Sequence, residues 1–366
     1  MLIEADRDVL LEKAQAVLRV VSPRATLPVL GGVRITASGS EVELAGTDLE
    51  IFVTVRQECA VQKAGAMVVP GRLFGDVLKS LPSGKVTVEV RGAQIRVEGA
   101  RAEFSLTALP MGDFPEFADV PEQAHSRVSA TDLGKALRQV VRAASSDEAR
   151  PILTGVLWSF SEGTARLAAT DSYRLAVREL GVKEGPSEGE VIVPSRALSE
   201  LGRHLAGAGA TEATLRMGES QAVCELGAMR LITRLIEGEF PKYRQLIPQG
   251  YSSRLAVGRA ELLEAVQRVG VVAGANTPVK VHLGEEVRLT AVEAGVGEAA
   301  EVLENASYVG EPATMAFNPR FLSDGLEVLE GDKVVMEVGE PTRPAILTGD
   351  GGAEFLYLVM PVRLAE

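Results

Sequence analysis

The sequence predicts an α+β protein built from three repeated modules of about 120 residues, each with two helices packed on antiparallel sheet. Three observations carry that expectation. Landmarks recur in one order: Val68-Val69-Pro70-Gly71-Arg72-Leu73-Phe74 returns as Ile192-Val193-Pro194-Ser195-Arg196-Ala197-Leu198 and as Ala316-Phe317-Asn318-Pro319-Arg320-Phe321-Leu322, which spaces Arg72, Arg196 and Arg320 by 124 and 124. Gly46-Thr47-Asp48 is matched by Ala169-Thr170-Asp171 and more weakly by Ala291-Val292-Glu293, and Gly112-Asp113-Phe114-Pro115 by Gly238-Glu239-Phe240-Pro241, with Val359-Met360-Pro361 closing the third copy. Within each copy the hydrophobic period switches between 3.6 and 2 in the same sequence, and segments of period 2 outnumber the helical ones.

Each module opens on an amphipathic helix, over 8–20, 131–144 and 259–269. Strand-like alternation follows, as over 33–44 and 164–169. The proline-led landmark then starts a second helix, where a missing N–H costs nothing. Its apolar positions are Leu73, Val77, Leu78 and Leu81, then Leu198, Leu201 and Leu205, then Phe321, Leu322, Leu326 and Leu329. Hairpins close each module, such as 86–90 with 94–97, or 333–338 followed by a turn at Asp350-Gly351.

Composition narrows the function. With 46% hydrophobic and 24% charged residues the chain can bury sizeable cores and is not disordered. Two cysteines, Cys59 and Cys224, lie outside any C-x-x-C spacing, so neither a disulfide framework nor a cysteine zinc site is expected and a reducing cytosol suits the chain. Charge at Glu4 and Asp6 comes too early for a secretory signal, and the longest uncharged apolar stretch, 269–279, is far shorter than the roughly 20 residues of a membrane span. The expectation is a soluble, cytoplasmic protein.

Fifty acidic against 38 basic residues, a net charge of −12, argue at face value against nucleic acid. The distribution argues otherwise. Lys135, Arg138 and Arg142 form one stripe of the second module's first helix. Arg196 and Arg203 share a face of its second helix, Arg72 and Lys79 stand in the same relation in module one, and Arg24 follows the first helix. A basic helix face that recurs suits contact with phosphates without base reading. Module three dilutes it, since Arg268 and Arg320 stand among acids.

Little else could support catalysis. His125, His204 and His282 are scattered and none sits in a metal spacing. Gly207-Ala208-Gly209 lacks the third glycine and the βαβ setting of a dinucleotide loop and reads as a turn. Asp48 and Asp171, each after a strand, read as turn residues whose side chains bond the backbone. No metal or cofactor is expected. From the residues alone three readings stay open: a protein that touches nucleic-acid phosphates without reading bases, an enzyme taking an anionic small molecule at a module junction, and a scaffold that binds no nucleic acid.

Thr26-Leu27-Pro28-Val29-Leu30, Gly46-Thr47-Asp48-Leu49-Glu50, Ala169-Thr170-Asp171-Ser172-Tyr173-Arg174-Leu175-Ala176-Val177, Gly238-Glu239-Phe240-Pro241-Lys242-Tyr243-Arg244 and Tyr357-Leu358-Val359-Met360-Pro361-Val362-Arg363-Leu364 resemble the bacterial DNA polymerase III beta subunit family, the beta sliding clamps, over the full length. The resemblance implies the DNA clamp fold, with domains at 1–119, 120–248 and 249–366, and a head-to-tail homodimer forming a six-domain ring. Such a ring encircles double-stranded DNA without sequence preference, tethers the polymerase III alpha subunit, and is opened by a clamp loader. It carries no catalytic site. On the resemblance Arg24, Arg72, Arg196 and Arg203 face DNA, and the helix-face pattern adds Lys79, Arg138, Arg142 and Arg320.

The resemblance also implies a pocket for the short motifs of partner proteins. Its lining is Leu153, Thr170, Ser172, Arg174, Leu175, Pro241, Leu246, Leu358, Met360, Pro361 and Val362, with Arg150 and Tyr173 at the rim. The dimer contact maps to Phe104 and Leu106 in module one and to Val271 and Val272 in module three, where a charge at Leu106 or Val272 is expected to give monomers. Two departures stand out: Ser172-Tyr173 where the family often has glycine-histidine, and Ala365-Glu366 beyond Leu364.

Overall fold

The computed structural model describes residues 1–22, 27–117, 125–185, 188–206, 209–248, 250–274, 277–352 and 354–363. Among them are six α-helices: α1 (Arg7–Leu18), α2 (Gly71–Ser80), α3 (Ala130–Val140), α4 (Ser195–Leu205), α5 (Arg259–Gly270) and α6 (Pro319–Val328). Two helices fall to each sequence repeat, and every strand pairing is antiparallel. The described residues gather into two compact units, one from 1–133, 182–186 and 196–235, the other from 134–181, 187–195 and 236–366, so the middle repeat divides its strands between them.

The first unit holds two sheets. One runs Ala60–Lys63, Leu2–Asp6, Lys85–Arg91, Gln94–Gly99, Ala102–Thr107. The other runs His125–Ser129, Glu212–Met217, Gln221–Leu226, Met229–Arg234, Ile51–Glu58, Glu41–Thr47, Gly32–Ser38, Gly65–Pro70. The second unit repeats the scheme. Its large sheet runs Gly189–Pro194, Gly155–Ser161, Thr164–Thr170, Arg174–Gly181, Phe355–Val359, Ala345–Gly349, Lys333–Val338, Ser253–Gly258, Ser307–Val309, and its small one Gly297–Leu303, Val287–Glu293, Val279–Leu283, Ala313–Phe317.

Local chemistry explains the elements. Asp6 caps α1 by accepting from the amides of Asp8 and Val9 at 2.9 and 3.1 Å, and Leu10, Ala14 and Val17 turn inward against strands Glu41–Thr47 and Ile51–Glu58. Asn318 caps α6 through the Arg320 amide, with Pro319 in the first turn as expected. Pro70 and Pro194, in contrast, each end a strand just before a helix. On α2 the buried stripe is Phe74, Val77, Leu78 and Leu81, at offsets 0, 3, 4 and 7; Leu73, read from sequence as part of it, is one position off and 49% exposed. The expected strand 33–44 is two strands, broken at Gly39, whose φ of +59° makes the turn.

Two junctions between repeats are built alike. Met229–Arg234 pairs with Ile51–Glu58 so that Ile232 lies opposite Phe52. Phe355–Val359 pairs with Arg174–Gly181 so that Leu358 lies opposite Leu175, the same register displaced by one repeat. Each pair lies in a hydrophobic cluster. The first adds Val29, Leu30, Ala45, Val68, Phe114 and Val223; the second adds Leu157, Ala168, Val177, Ile192, Phe240, Tyr243 and Ile346. The third members of these two strand series are Gly297–Leu303 and Ala102–Thr107, and both are sheet edges. Gly325 lets α6 close on its sheet: a Cβ there would stand 2.5 Å from Tyr357 Cδ1, and Tyr357 is fully buried.

Candidate nucleic-acid interface and peptide groove

The helices present the basic residues that the sequence singled out, but not in one electrostatic state. Arg72 and Lys79 on α2, Arg138 on α3 and Arg320 on α6 are exposed and have no ion pair among the described residues. Arg196 on α4 lies between Asp48 and Glu50, at 2.5 and 3.6 Å, and Arg203 pairs with Glu200 one turn before it. Arg142, in the single 3-10 turn Val141–Ala143 that continues α3, meets Asp324 at 3.4 Å and also pairs with Glu327. Lys135 reaches Glu330 at 3.7 Å. Two of the three cations of the α3 stripe are thus matched by acids at i, i+3 spacing, Asp324 and Glu327 on α6 and Glu330 just beyond its end, a spacing visible in the sequence. Arg24 lies outside the described residues.

The groove residues come together in the second unit. After strand Thr164–Thr170 the chain turns through Asp171–Tyr173. The Thr170 hydroxyl donates to the Arg174 carbonyl at 2.6 Å and accepts from the Ser172 amide at 3.1 Å, while Asp171 Oδ1 accepts from the amides of Tyr173 and Arg174 at 2.9 and 3.0 Å. Thr47 and Asp48 build the same turn, so both aspartates are the turn residues the sequence suggested. Its third position has φ of +80° at Leu49 and at Ser172, the left-handed region that favours glycine. Ser172 compensates through a contact glycine lacks, accepting from Arg150 Nη1 at 3.1 Å.

Arg174 is a buried anchor. Its Nε donates to Asp171 Oδ2 at 3.0 Å and its Nη1 to Asp324 Oδ2 at 2.5 Å and the Tyr357 hydroxyl at 3.4 Å, and the guanidinium lies 4.6 Å from the Phe321 ring centre. Burial works against its charge, but Tyr357 and Asp324 outweigh it and raise the pKa further above the usual range. Burial pushes the Tyr357 hydroxyl up to about 12. The Tyr173 ring stacks on Phe321 at 6.3 Å.

The tail completes the site. The Met360 amide donates to the Tyr173 carbonyl at 2.8 Å and the Val362 amide to the Ala316 carbonyl at 2.7 Å, which sets 360–362 beside the turn. Leu153, Thr170, Arg174, Leu175 and Leu358 are buried beneath it, Leu175 and Leu358 as core members. Of the residues assigned to the peptide pocket, Ser172, Tyr173, Pro241, Leu246, Met360, Val362 and Arg150 are exposed and Pro361 is half-buried. Residues 364–366, with the two-residue extension, lie outside the described residues.

Of the residues assigned to the dimer contact, Phe104 and Leu106 lie on the edge strand Ala102–Thr107, where Leu106 is only 5% exposed and Phe104 half-buried. Leu106 therefore packs inside its own unit, and a charge there attacks the core first. Val271, 83% exposed, and Val272 follow α5; a Cβ at Gly297, which starts the other edge strand, would lie 3.9 Å from Val272 Cγ1.

Among the described residues no group of His, Cys, Asp or Glu could hold a metal ion, and no helix is long and apolar enough to cross a membrane. Cys224 is buried, which pushes its thiol up to about 12, and Cys59 is also raised by burial.

Family profiles match the chain in succession: the DNA polymerase III beta subunit N-terminal domain over 1–118, its central domain over 127–242 and its C-terminal domain over 244–363. The beta sliding clamp of Streptomyces coelicolor is 34% identical over all of both chains, and that of Staphylococcus aureus 30% over 98% of each. Among solved structures, the DNA polymerase sliding clamp of Bacillus subtilis superposes with a TM-score of 0.93 at 27% identity, and the Bartonella birtlesii clamp bound to griselimycin with 0.93 at 31%, each over the whole of both chains. The three repeats, the α+β modules and the antiparallel sheets they share are thus those of a known family: the chain belongs to the DNA polymerase III beta subunits, the bacterial beta sliding clamps.

Proposed function

We propose that this sliding clamp acts in the cytoplasm as a head-to-tail homodimer, a ring of six domains divided at 1–119, 120–248 and 249–366, that encircles duplex DNA. There it tethers the polymerase III alpha subunit and other partners, as a processivity subunit without a catalytic site of its own. The observation that carries the ring is the pair of unused sheet edges. Two junctions within the chain join corresponding strands in one register, and the strands that would make the third, Gly297–Leu303 and Ala102–Thr107, are each an edge. Complementary surfaces at opposite ends of the repeat series make a heterologous contact, which closes into a ring or grows into a filament. Pairing also removes two edges that would invite aggregation.

Carrying the shared register one repeat further sets Phe104 opposite Ala299 of the partner subunit, with Val271 and Val272 beside the new ladder. Directly opposed residues of an antiparallel pair bring their Cβ atoms to about 5 Å. The double variant Phe104→Cys, Ala299→Cys should therefore oxidise to a covalently closed dimer on a non-reducing gel. A ladder of open multimers, or no cross-link, refutes this arrangement.

The basic helix faces support DNA contact. Phosphate binding by scattered, screened cations is weak and non-specific, which suits a ring that retains DNA by enclosure and slides. The net charge of −12 then belongs mostly away from DNA. Arg24, Arg72, Lys79, Arg138, Arg142, Arg196, Arg203 and Arg320 are the DNA-facing set, with the four unpaired members contributing most. Loaded by an ATP-driven clamp loader onto nicked circles, the protein should survive high salt and be released on linearisation. Equal release from circular and linear DNA would refute encirclement.

The groove between the Asp171–Tyr173 turn, the Pro241–Leu246 segment and the 360–362 tail is the site for short clamp-binding motifs of the alpha subunit, the loader and other partners. An adaptable methionine beside exposed apolar residues, with Arg150 and Ser172 as polar anchors, fits peptides of varied sequence. Met360→Ala should weaken a synthetic alpha-subunit peptide by fluorescence anisotropy; unchanged affinity would remove Met360 from the site.

A further inference from the structure

We infer that Asp324 is a positioning residue of the peptide groove and couples that groove to the basic stripe of α3. The inference rests on the groove and DNA readings above. Asp324 stands on α6 with its side chain 20% exposed and divides its carboxylate: Oδ2 accepts from Arg174 Nη1 at 2.5 Å, and Oδ1 from Arg142 Nη1 at 3.4 Å. From Arg174 the line continues to Asp171 Oδ2 at 3.0 Å, and Asp171 holds the amides of Tyr173 and Arg174. Four side chains in contact thus join a DNA-facing cation to the turn that forms the groove's wall.

Each guanidinium has a carboxylate of its own, Asp171 for Arg174 and Glu327 for Arg142, and Asp324 is the one they share, so the two partners compete for it. A phosphate that takes up Arg142 leaves Asp324 to Arg174, and the turn is held more tightly. A clamp on DNA is then a better peptide receptor than a free one, and by linkage a bound peptide favours the DNA contact by the same factor. In the first unit the equivalent turn has no such relay, since its aspartate, Asp48, pairs directly with Arg196.

Hydrogen exchange at the Tyr173 and Arg174 amides of the full-length protein reads the turn directly, whether or not a peptide binds beside it. Arg142→Gln, which mimics loss of the competitor, should slow that exchange about fivefold, and Asp324→Asn should speed it by at least as much. In the double variant the Arg142 change should have no further effect, a cancellation that general loosening of α6 does not produce. Unchanged exchange in both single variants, or an Arg142 effect that persists without Asp324, overturns the inference. Failure of an alpha-subunit peptide to bind the unsubstituted protein would instead refute the groove reading and leave the relay standing.

Discussion

Replacing Arg138 and replacing Arg142 should have different consequences for DNA although both stand on one helical stripe. Arg138 has no ion pair among the described residues, whereas Arg142 is held by Asp324 and Glu327. Removing one cation that neutralises a phosphate lowers the slope of log K against log salt by about 0.9, and the proposed homodimer would carry each residue twice, so Arg138→Gln should flatten the slope by up to about 1.8. Between 50 and 200 mM salt, a fourfold change, that alters the fall in affinity by about tenfold. Arg142→Gln removes a cation whose charge two carboxylates already offset, and should change the slope by less than half as much. Glu327→Gln should move affinity the other way. Fluorescence anisotropy of a labelled duplex across this salt range provides the measurement. Equal flattening by both arginine variants, or none with Arg138→Gln, would refute the partition of the basic residues into free and paired classes.

Val271→Asp should yield monomers by light scattering and lower the melting temperature only by the lost subunit association, because that side chain is 83% exposed, while Leu106→Asp, at a site only 5% exposed, should lower it further. Ser172→Gly should raise stability by up to about 1 kcal/mol by relieving a left-handed backbone, and a lower melting temperature would show that the Arg150 contact outweighs the strain. Burial, reinforced by Arg19, Arg203 and Lys13, pushes His204 down from 6.5 to about 4. The folded state therefore binds fewer protons than the unfolded one between these values, so stability should rise with pH from about 4 to 6.5 and level off above. His204→Gln should reduce that slope in melting-temperature measurements, and an unaltered slope would assign it to other groups.

Recurring landmarks and periodicity together predicted the repeat, the strand-rich modules and the six helices found among the described residues, because these follow from local patterns that recur three times. Asp48 and Asp171 were also readable as turn residues, since such side chains bond the backbone within three positions. Sheet membership was not readable. Nothing local says that Ile232 faces Phe52 or that Leu358 faces Leu175, pairings across 180 residues or more that divide the middle repeat between two sheets. The ionic state of the basic faces was equally hidden: Arg138 and Arg142 look alike along the helix, and only the approach of Asp324 and Glu327 from α6 separates them. Leu175 and Leu358, assigned to the groove by the resemblance, are buried in a hydrophobic cluster, and the residues that cover them come from distant parts of the chain. By itself the sequence determined the module, its threefold recurrence and the residue types available to DNA and peptides. Tertiary structure decided which cations remain free, which apolar groups remain exposed and which edges remain open, since each depends on a neighbour brought in from a distant part of the chain.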